Sequence, residues 1–334
     1  MTASPDLSVN LAPHHKLELR LQNPIMVASG TFSNGLEMAK HHDVDRLGAV
    51  VSKGTTLRAR KGNPVPRTVE TPGGMLNAIG FQNIGVNALI STVAPVWERW
   101  SVPVLVNIMG DTLEEYGRLA ARLDGVAGVA GLEVNISCPN VHAGGIEFGQ
   151  DPRQATAVVR EIAANTALPF LVKLTPSVED IRPVAEAVAA AGAHGLTVMN
   201  TIPAMAIDVR TRRPTLANVF GGLSGPAIKP IALRNVYLAA SVVDVPVVAS
   251  GGAMTGVDAL EFIMAGASAV QAGTATFLDP AAPWRMIEEL EAWCISEGVQ
   301  SLDEIRGVAR TGVAAASASP AETAHGMTGA SPAR

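Results

Sequence analysis

The chain predicts an α/β fold, a closed (β/α)8 TIM barrel in a single domain with insertions on its carboxyl-end face, and three observations point there. Eight short apolar runs rich in β-branched residues recur along the 334 residues. Their hydrophobicity is continuous rather than alternating, as strands buried on both faces of a parallel sheet require. Amphipathic stretches with helical spacing lie between them. Eight such alternations fit a barrel of about 250 residues or more. A doubly wound open sheet competes, and the number of strands favours closure.

The runs, in order, are Asn23 to Thr31, Gly48 to Thr55, Val102 to Gly110, Gly131 to Pro139, Pro169 to Pro176, Gly195 to Thr201, Val245 to Gly252 and Ala269 to Thr276. Each ends in small or polar residues, where a turn begins. Helical spacing covers Thr112 to Val129, Asp151 to Thr166, Val178 to Ala191 and Thr255 to Ala265. Asp151 followed by Pro152 supplies a cap and a first-turn proline, and Ser177 ahead of Glu179 and Asp180 supplies a second start signal. Lys16 to Leu21 reads as a short extra strand that helps plug the barrel bottom. Two long segments, Leu57 to Val86 and Ala206 to Ser224, exceed the bare repeat, and insertions on the carboxyl side of barrel strands build active-site walls. The barrel domain is expected over 1–310. The stretch 311–334 is small, polar and aperiodic, a composition that gives no packed core.

Composition narrows the function. With 48% hydrophobic and 16% charged residues the bulk of the chain is folded. A net charge of −5 without a basic stripe argues against nucleic-acid binding through phosphate contacts. No apolar run reaches the roughly 18–20 residues needed to span a bilayer, and the start of the chain has no basic-then-apolar secretory pattern. Two cysteines, Cys138 and Cys294, indicate no disulfide framework, so the expected location is the cytoplasm.

A barrel carries its chemistry at the carboxyl ends of its strands. Those ends give Ser29-Gly30-Thr31, Lys53-Gly54, Asn107, Asn135 with Cys138, Lys173, Asn200-Thr201, Gly251-Gly252 and Gly273-Thr274. Two cations, three amides, a thiol and several glycines can hydrogen-bond a flat polar ring and hold anions. Without a carboxylate the set is a poor metal site, and no metal is expected. Gly251-Gly252, before a helix near Thr255, and Gly273-Thr274 suit phosphate, because glycine lets backbone N–H groups approach closely and a helix start adds its dipole. Plain turn chemistry is the competing explanation. Cys138, among Ser137, Pro139 and Asn140, is placed as a nucleophile or general base rather than a packed thiol. Cys294, beside Trp293, reads as packing. Lys53 and Lys173 end apolar strands and need a partner in the barrel mouth. With no acidic residue at the strand ends, a structural ion pair is the less favoured partner, and a Schiff base at Lys173 stays open. The pairs His14-His15 and His41-His42 read as solvated or capping.

Longer motifs carry a resemblance. KGTTLRARKGNPVPRTVETPGGMLNAIGFQNIGV (Lys53 to Val86), NISCPNV (Asn135 to Val141), VKLTP, GGLSGPAIKP (Gly221 to Pro230), SGG and GT together resemble the catalytic subunit of a class 1B dihydroorotate dehydrogenase. The likeness runs in order over roughly Leu17 to Gly307 and departs from the pattern at Phe81 and Ile84. It implies oxidation of (S)-dihydroorotate to orotate in de novo pyrimidine (UMP) synthesis, with one FMN per chain. By resemblance Ser29, Lys53, Gly54, Asn107, Asn135, Lys173, Met199, Gly225, Gly251, Gly252, Gly273 and Thr274 hold FMN, Met199 through its backbone. Lys53, Asn77, Ala78, Ile79, Gly80, Phe81, Asn135, Asn200 and Thr201 hold the substrate, and Cys138 is the base. The likeness also implies a partner subunit carrying FAD and a [2Fe-2S] cluster that passes electrons to NAD+, around a homodimer core in a heterotetramer. This chain cannot supply that chemistry, since two cysteines cannot hold a four-cysteine cluster and no GxGxxG follows a strand. The competing functions are a class 1A-like enzyme reducing fumarate alone, a phosphate-binding Schiff-base barrel, a non-catalytic FMN barrel, and a tRNA-modifying flavin barrel that the charge disfavours.

Overall fold

In the computed structural model, residues 4–137 and 148–311 are described. The eight apolar runs become eight parallel strands that close on themselves: β1 (Ile25–Val27), β2 (Ala49–Val51), β3 (Val104–Ile108), β4 (Gly131–Asn135), β5 (Phe170–Lys173), β6 (Gly195–Val198), β7 (Val247–Ser250) and β8 (Ala269–Ala272). Neighbours in sequence are neighbours in the barrel, and β8 closes onto β1 through Val270–Ile25 and Gln271–Met26. Every residue of the eight strands is buried, which is why none of them alternates polar with apolar.

The helices pack outside this ring. Leu113–Leu123 follows β3 with Thr112 capping the Glu115 N–H, and it stops where Gly125 and Gly128 take positive φ, six residues before the helical spacing ends at Val129. Pro152–Asn165 follows β4 and starts as expected, its Asp151 side chain accepting from the Arg153 N–H. Arg182–Ala190 follows β5 and begins later than the Ser177 signal indicates. Pro183 sits in its first turn, and Asp180 rather than Ser177 accepts the Arg182 N–H. After β6 comes Lys229–Ala240, and after β7 comes Gly256–Ala265, with Thr255 and Asp258 forming a capping box. β8 is followed by Ala275–Leu278 and Ala282–Glu297. β1 departs from the repeat: two 3-10 turns, Met38–Lys40 and Val44–Arg46, stand where a helix would, after Gly35 at positive φ. Among the described residues no helix is long and apolar enough to cross a membrane.

The amino-terminal segment pairs Val9–Asn10 with Arg20–Leu21 in an antiparallel hairpin. Leu11, Leu19 and Leu21 are fully buried, and His15 meets His194, next to the start of β6, edge-on at 4.5 Å. The hairpin therefore covers the amino end of the barrel. His15 Nδ1 accepts the Leu17 N–H and His42 stacks on Trp284, so the capping reading holds for the first of these and packing explains the second.

The two long insertions meet each other. Thr68–Thr71 and Gly74–Asn77 from the first pair antiparallel with each other, and Gly221–Ser224 joins Gly74–Asn77 to Ile202–Ala204 in one four-stranded sheet. Leu76, Ala78 and Leu216 make a small second core beneath it. Gly74 allows the close approach, since a Cβ there would sit 2.1 Å from the Ser224 carbonyl oxygen. Of the stretch 311–334, Thr311 closes the short helix Val308–Thr311 and the remainder lies outside the described residues.

Candidate active site

A cavity of about 1090 Å3 opens at the carboxyl ends of the strands, under the sheet made by the insertions. Ser29, Lys53, Gly54, Asn107, Asn135, Lys173, Met199, Gly225, Gly251, Gly252, Gly273 and Thr274 all line it, and so do Asn77, Ala78, Ile79, Gly80, Phe81, Asn200 and Thr201. Cys138 lies outside the described residues. The barrel explains why residues so far apart in sequence converge: each is within four residues of a strand's end, or sits on the insertion sheet that roofs the same mouth.

Lys53 follows β2, and no carboxylate among the described residues pairs with it. Burial, and after it the charge of Arg67, pushes its pKa below the ordinary lysine value of 10.5. It is a cation held ready for an anion. Asn135 ends β4, where Tyr116 donates to its carbonyl at 2.6 Å and its Oδ1 accepts from the Ser137 N–H at 3.0 Å and from Asn200 Nδ2 at 3.4 Å. Asn77 Nδ2 donates to the Gly222 carbonyl, tying one insertion to the other. Gly80 and Phe81 both have positive φ, so the chain turns sharply where it meets the cavity.

Lys173 differs from the expectation. Its Nζ lies 3.6 Å from Glu133 Oε2 and 3.4 Å from Gln271 Oε1, so it has a carboxylate partner after all. Glu133 stands inside an apolar run, two residues before Asn135, where the chemistry expected at strand ends does not point to it. The available signal was the period of two, which puts residues 133 and 135 on one face of the strand. Gln271, two residues before Gly273, escaped in the same way. Arg60 and Arg67 also line the cavity, held by Asp111 and Gln82 at 2.6 Å each.

The phosphate expectation needs one correction. The start of Gly256–Ala265 is already satisfied: Asp258 Oδ2 accepts from the Met254 and Thr255 N–H groups, and Glu289 Oε2 accepts from Gly256. Those three donors are not offered to an anion. Gly251 and Gly252 pack instead against the segment that opens Lys229–Ala240, beside Gly225 and Thr274. Thr274 donates to Ser224 Oγ at 2.8 Å, which joins the β8 loop to the insertion sheet. Met199 lines the cavity, and its N–H donates to the Ser250 carbonyl. Gly252 has φ +85°, and a Cβ there would sit 2.7 Å from the Lys229 nitrogen. Gly252→Ala is expected to cost about 1–3 kcal/mol through overpacking. A thermal melt unchanged from wild type would contradict this.

Cys294 is fully buried, and burial pushes its thiol up, consistent with packing alone. Among the described residues no group of three or more His, Cys, Asp or Glu side chains is arranged to hold a metal ion.

Comparison with known proteins agrees with this geometry. The family model for Dihydroorotate dehydrogenase matches residues 13–293. The chain belongs to the dihydroorotate dehydrogenase family. It is thereby an enzyme of the FMN-dependent oxidoreductases. It is 53% identical over 303 residues to the "Dihydroorotate dehydrogenase B (NAD(+)), catalytic subunit" of Geobacter sp. strain M21, covering 91% of this chain and 98% of that protein. The similarly named protein of Citrifermentans bemidjiense matches at the same identity and coverage. That of Desulforudis audaxviator is 52% identical over 88% of this chain and 96% of its own. Membership of this family sets aside the Schiff-base and tRNA-modifying barrels.

Proposed function

We propose that this chain oxidises (S)-dihydroorotate to orotate with FMN held in the barrel mouth, as the catalytic subunit of a B-type, NAD+-linked enzyme of de novo pyrimidine synthesis. The observation that carries the reading is the cavity's polar lining: cations at Lys53 and Lys173, amides at Asn77, Asn107, Asn135 and Asn200, and a glycine-built wall at Gly225, Gly251, Gly252 and Gly273.

The residues fit FMN on a structural test. Asn107 Oδ1 is buried with no hydrogen-bond partner among the described residues, beside Gly54, where a Cβ would lie 3.0 Å from it. A buried acceptor left unpaired is costly, and a ring N–H would satisfy it. The glycines leave backbone alone along the wall where the phosphate would sit. Bound there, FMN supplies a hydride acceptor for carbon six of the substrate. Lys53 meets the negative charge of the substrate, while Asn77, Asn135, Asn200 and Thr201 offer donors and acceptors to its amide and imide edges. The turn from Ala78 to Phe81 walls the ring. Cys138 takes the proton from carbon five. Electrons then leave through a separate subunit with FAD and a [2Fe-2S] cluster, on a homodimer core, in the cytoplasm.

An anaerobic dihydroorotate titration of the purified chain tests the reading. The protein is expected to be yellow, to bleach stoichiometrically, and to be reoxidised by NAD+ only with its partner. Yellow protein that dihydroorotate does not bleach would make it a non-catalytic flavin barrel, and reoxidation by fumarate alone would make it class 1A-like. A colourless protein that FMN does not stain would end the proposal.

Lys53 gives a pH dependence. An anion beside its ammonium favours the charged form, so orotate affinity is full below the Lys53 pKa of the free enzyme and falls as pH rises through it. Because that pKa is lowered, the fall is expected to begin below 10.5. Orotate titrations from neutral pH upward read this directly. A Lys53→Met enzyme should bind weakly without this lysine-linked fall, and unchanged affinity in that variant would remove Lys53 from the substrate site.

A further inference from the structure

Beneath the cavity, four side chains from four strands converge on one carboxylate. Glu133 in β4 is 0% exposed. Its Oε2 accepts from Asn107 Nδ2 in β3 at 2.6 Å and lies 3.6 Å from Lys173 Nζ in β5. Its Oε1 accepts from Thr197 Oγ1 in β6 at 3.0 Å and from Gln271 Nε2 in β8 at 2.6 Å. An ionised carboxylate only accepts hydrogen bonds, so each amide must turn its NH2 toward it. That fixes where the amide oxygens go. Gln271 Oε1 faces Lys173 Nζ at 3.4 Å, and Asn107 Oδ1 is left without a partner among the described residues, beside Gly54 at the cavity wall.

We propose that Glu133 is a positioning residue that tunes the bound flavin: it balances the charge of Lys173 and holds Asn107 so that its oxygen, not its nitrogen, is presented to the ring. The inference rests on the proposed FMN site. It goes beyond that reading by assigning the polarity of the cavity floor to a residue that touches neither cofactor nor substrate. Two consequences follow from the bonding pattern. Without the negative charge, the ammonium of Lys173 acts on the flavin undiminished and favours the reduced, more electron-rich ring. With an amide at 133, the single oxygen stays toward the Lys173 ammonium and Asn107 Nδ2, and the NH2 faces Gln271 Nε2, so Gln271 rather than Asn107 must turn over.

The test is Glu133→Gln with the midpoint potential of bound FMN as readout, measured against a reference dye at neutral pH. The variant is expected to shift the reduction equilibrium at least tenfold toward reduced flavin, about 30 mV for a two-electron couple. Lys173→Met should shift it the opposite way, and the double variant should return close to wild type. If Glu133→Gln does not fold, the double variant compared with Lys173→Met alone reads the same charge without stranding a buried ammonium. Glu133→Gln with one FMN per chain and an unshifted potential would overturn the proposal, as would a double variant indistinguishable from Lys173→Met. Failure of the wild-type chain to bind FMN at all would instead overturn the cofactor reading, so the two failures are separable.

Discussion

Replacing Cys138 with Ala should lower kcat by about 10²–10⁴-fold, the usual contribution of a positioned general base. Orotate affinity and FMN content should stay at wild-type levels, because the proposed site assigns substrate binding to Lys53, Asn77, Asn135, Asn200 and Thr201 and not to the thiol. The proton on carbon five of dihydroorotate is not acidic enough to leave unaided, so the base has to be in place when the hydride departs. An ordinary thiol ionises near pH ~8.5, so the wild-type rate should rise with pH through that region. Cys138→Ser, whose hydroxyl ionises far higher, should shift the rise toward higher pH. Stopped-flow reduction of the flavin by dihydroorotate measures the step directly. Near-full flavin reduction in Cys138→Ala would remove the residue from the mechanism.

Replacing Glu133 with Ala should destabilise the protein by about 3–5 kcal/mol, the cost of stranding one member of a buried ion pair. Lys173 is 6% exposed and among the described residues would keep only Gln271 Oε1 as a partner, while Thr197, Gln271 and Asn107 would each lose an acceptor. The midpoint of urea unfolding reads the loss. Adding Lys173→Met should recover much of it, because replacing a buried pair with apolar groups is often close to neutral. A loss of about 1 kcal/mol or less, the size of a surface ion pair, would mean that water reaches the cluster and solvates Lys173.

These two residues mark the boundary between what was legible in the chain and what was not. Cys138 is marked out in the sequence by its setting, a thiol among Ser137, Pro139 and Asn140 just past an apolar run, and it lies outside the described residues. Glu133 did not stand out, because reading strands for continuous hydrophobicity treats a single charge as noise. Its meaning depends on Asn107, Thr197 and Gln271, which reach it only when β3, β6 and β8 face one another across a closed ring. The phosphate wall shows the same limit. The glycines were visible, but Thr255 and Asp258 turn out to cap their own helix, and Gly251 and Gly252 pack against a helix start from another repeat.

By itself the sequence determined the barrel, its eight strands, and the residues at their ends, because burial on both faces and turn chemistry are local demands written every few residues. It also determined the family, through motifs long enough to be specific. Which insertions pair, that Lys173 has a carboxylate beneath it while Lys53 has none among the described residues, and which helix start stands beside the glycine wall are set by the closed barrel. Those are relations between residues as far apart in sequence as Met75 and Ser224 or Glu133 and Gln271, and only barrel closure brings them into contact.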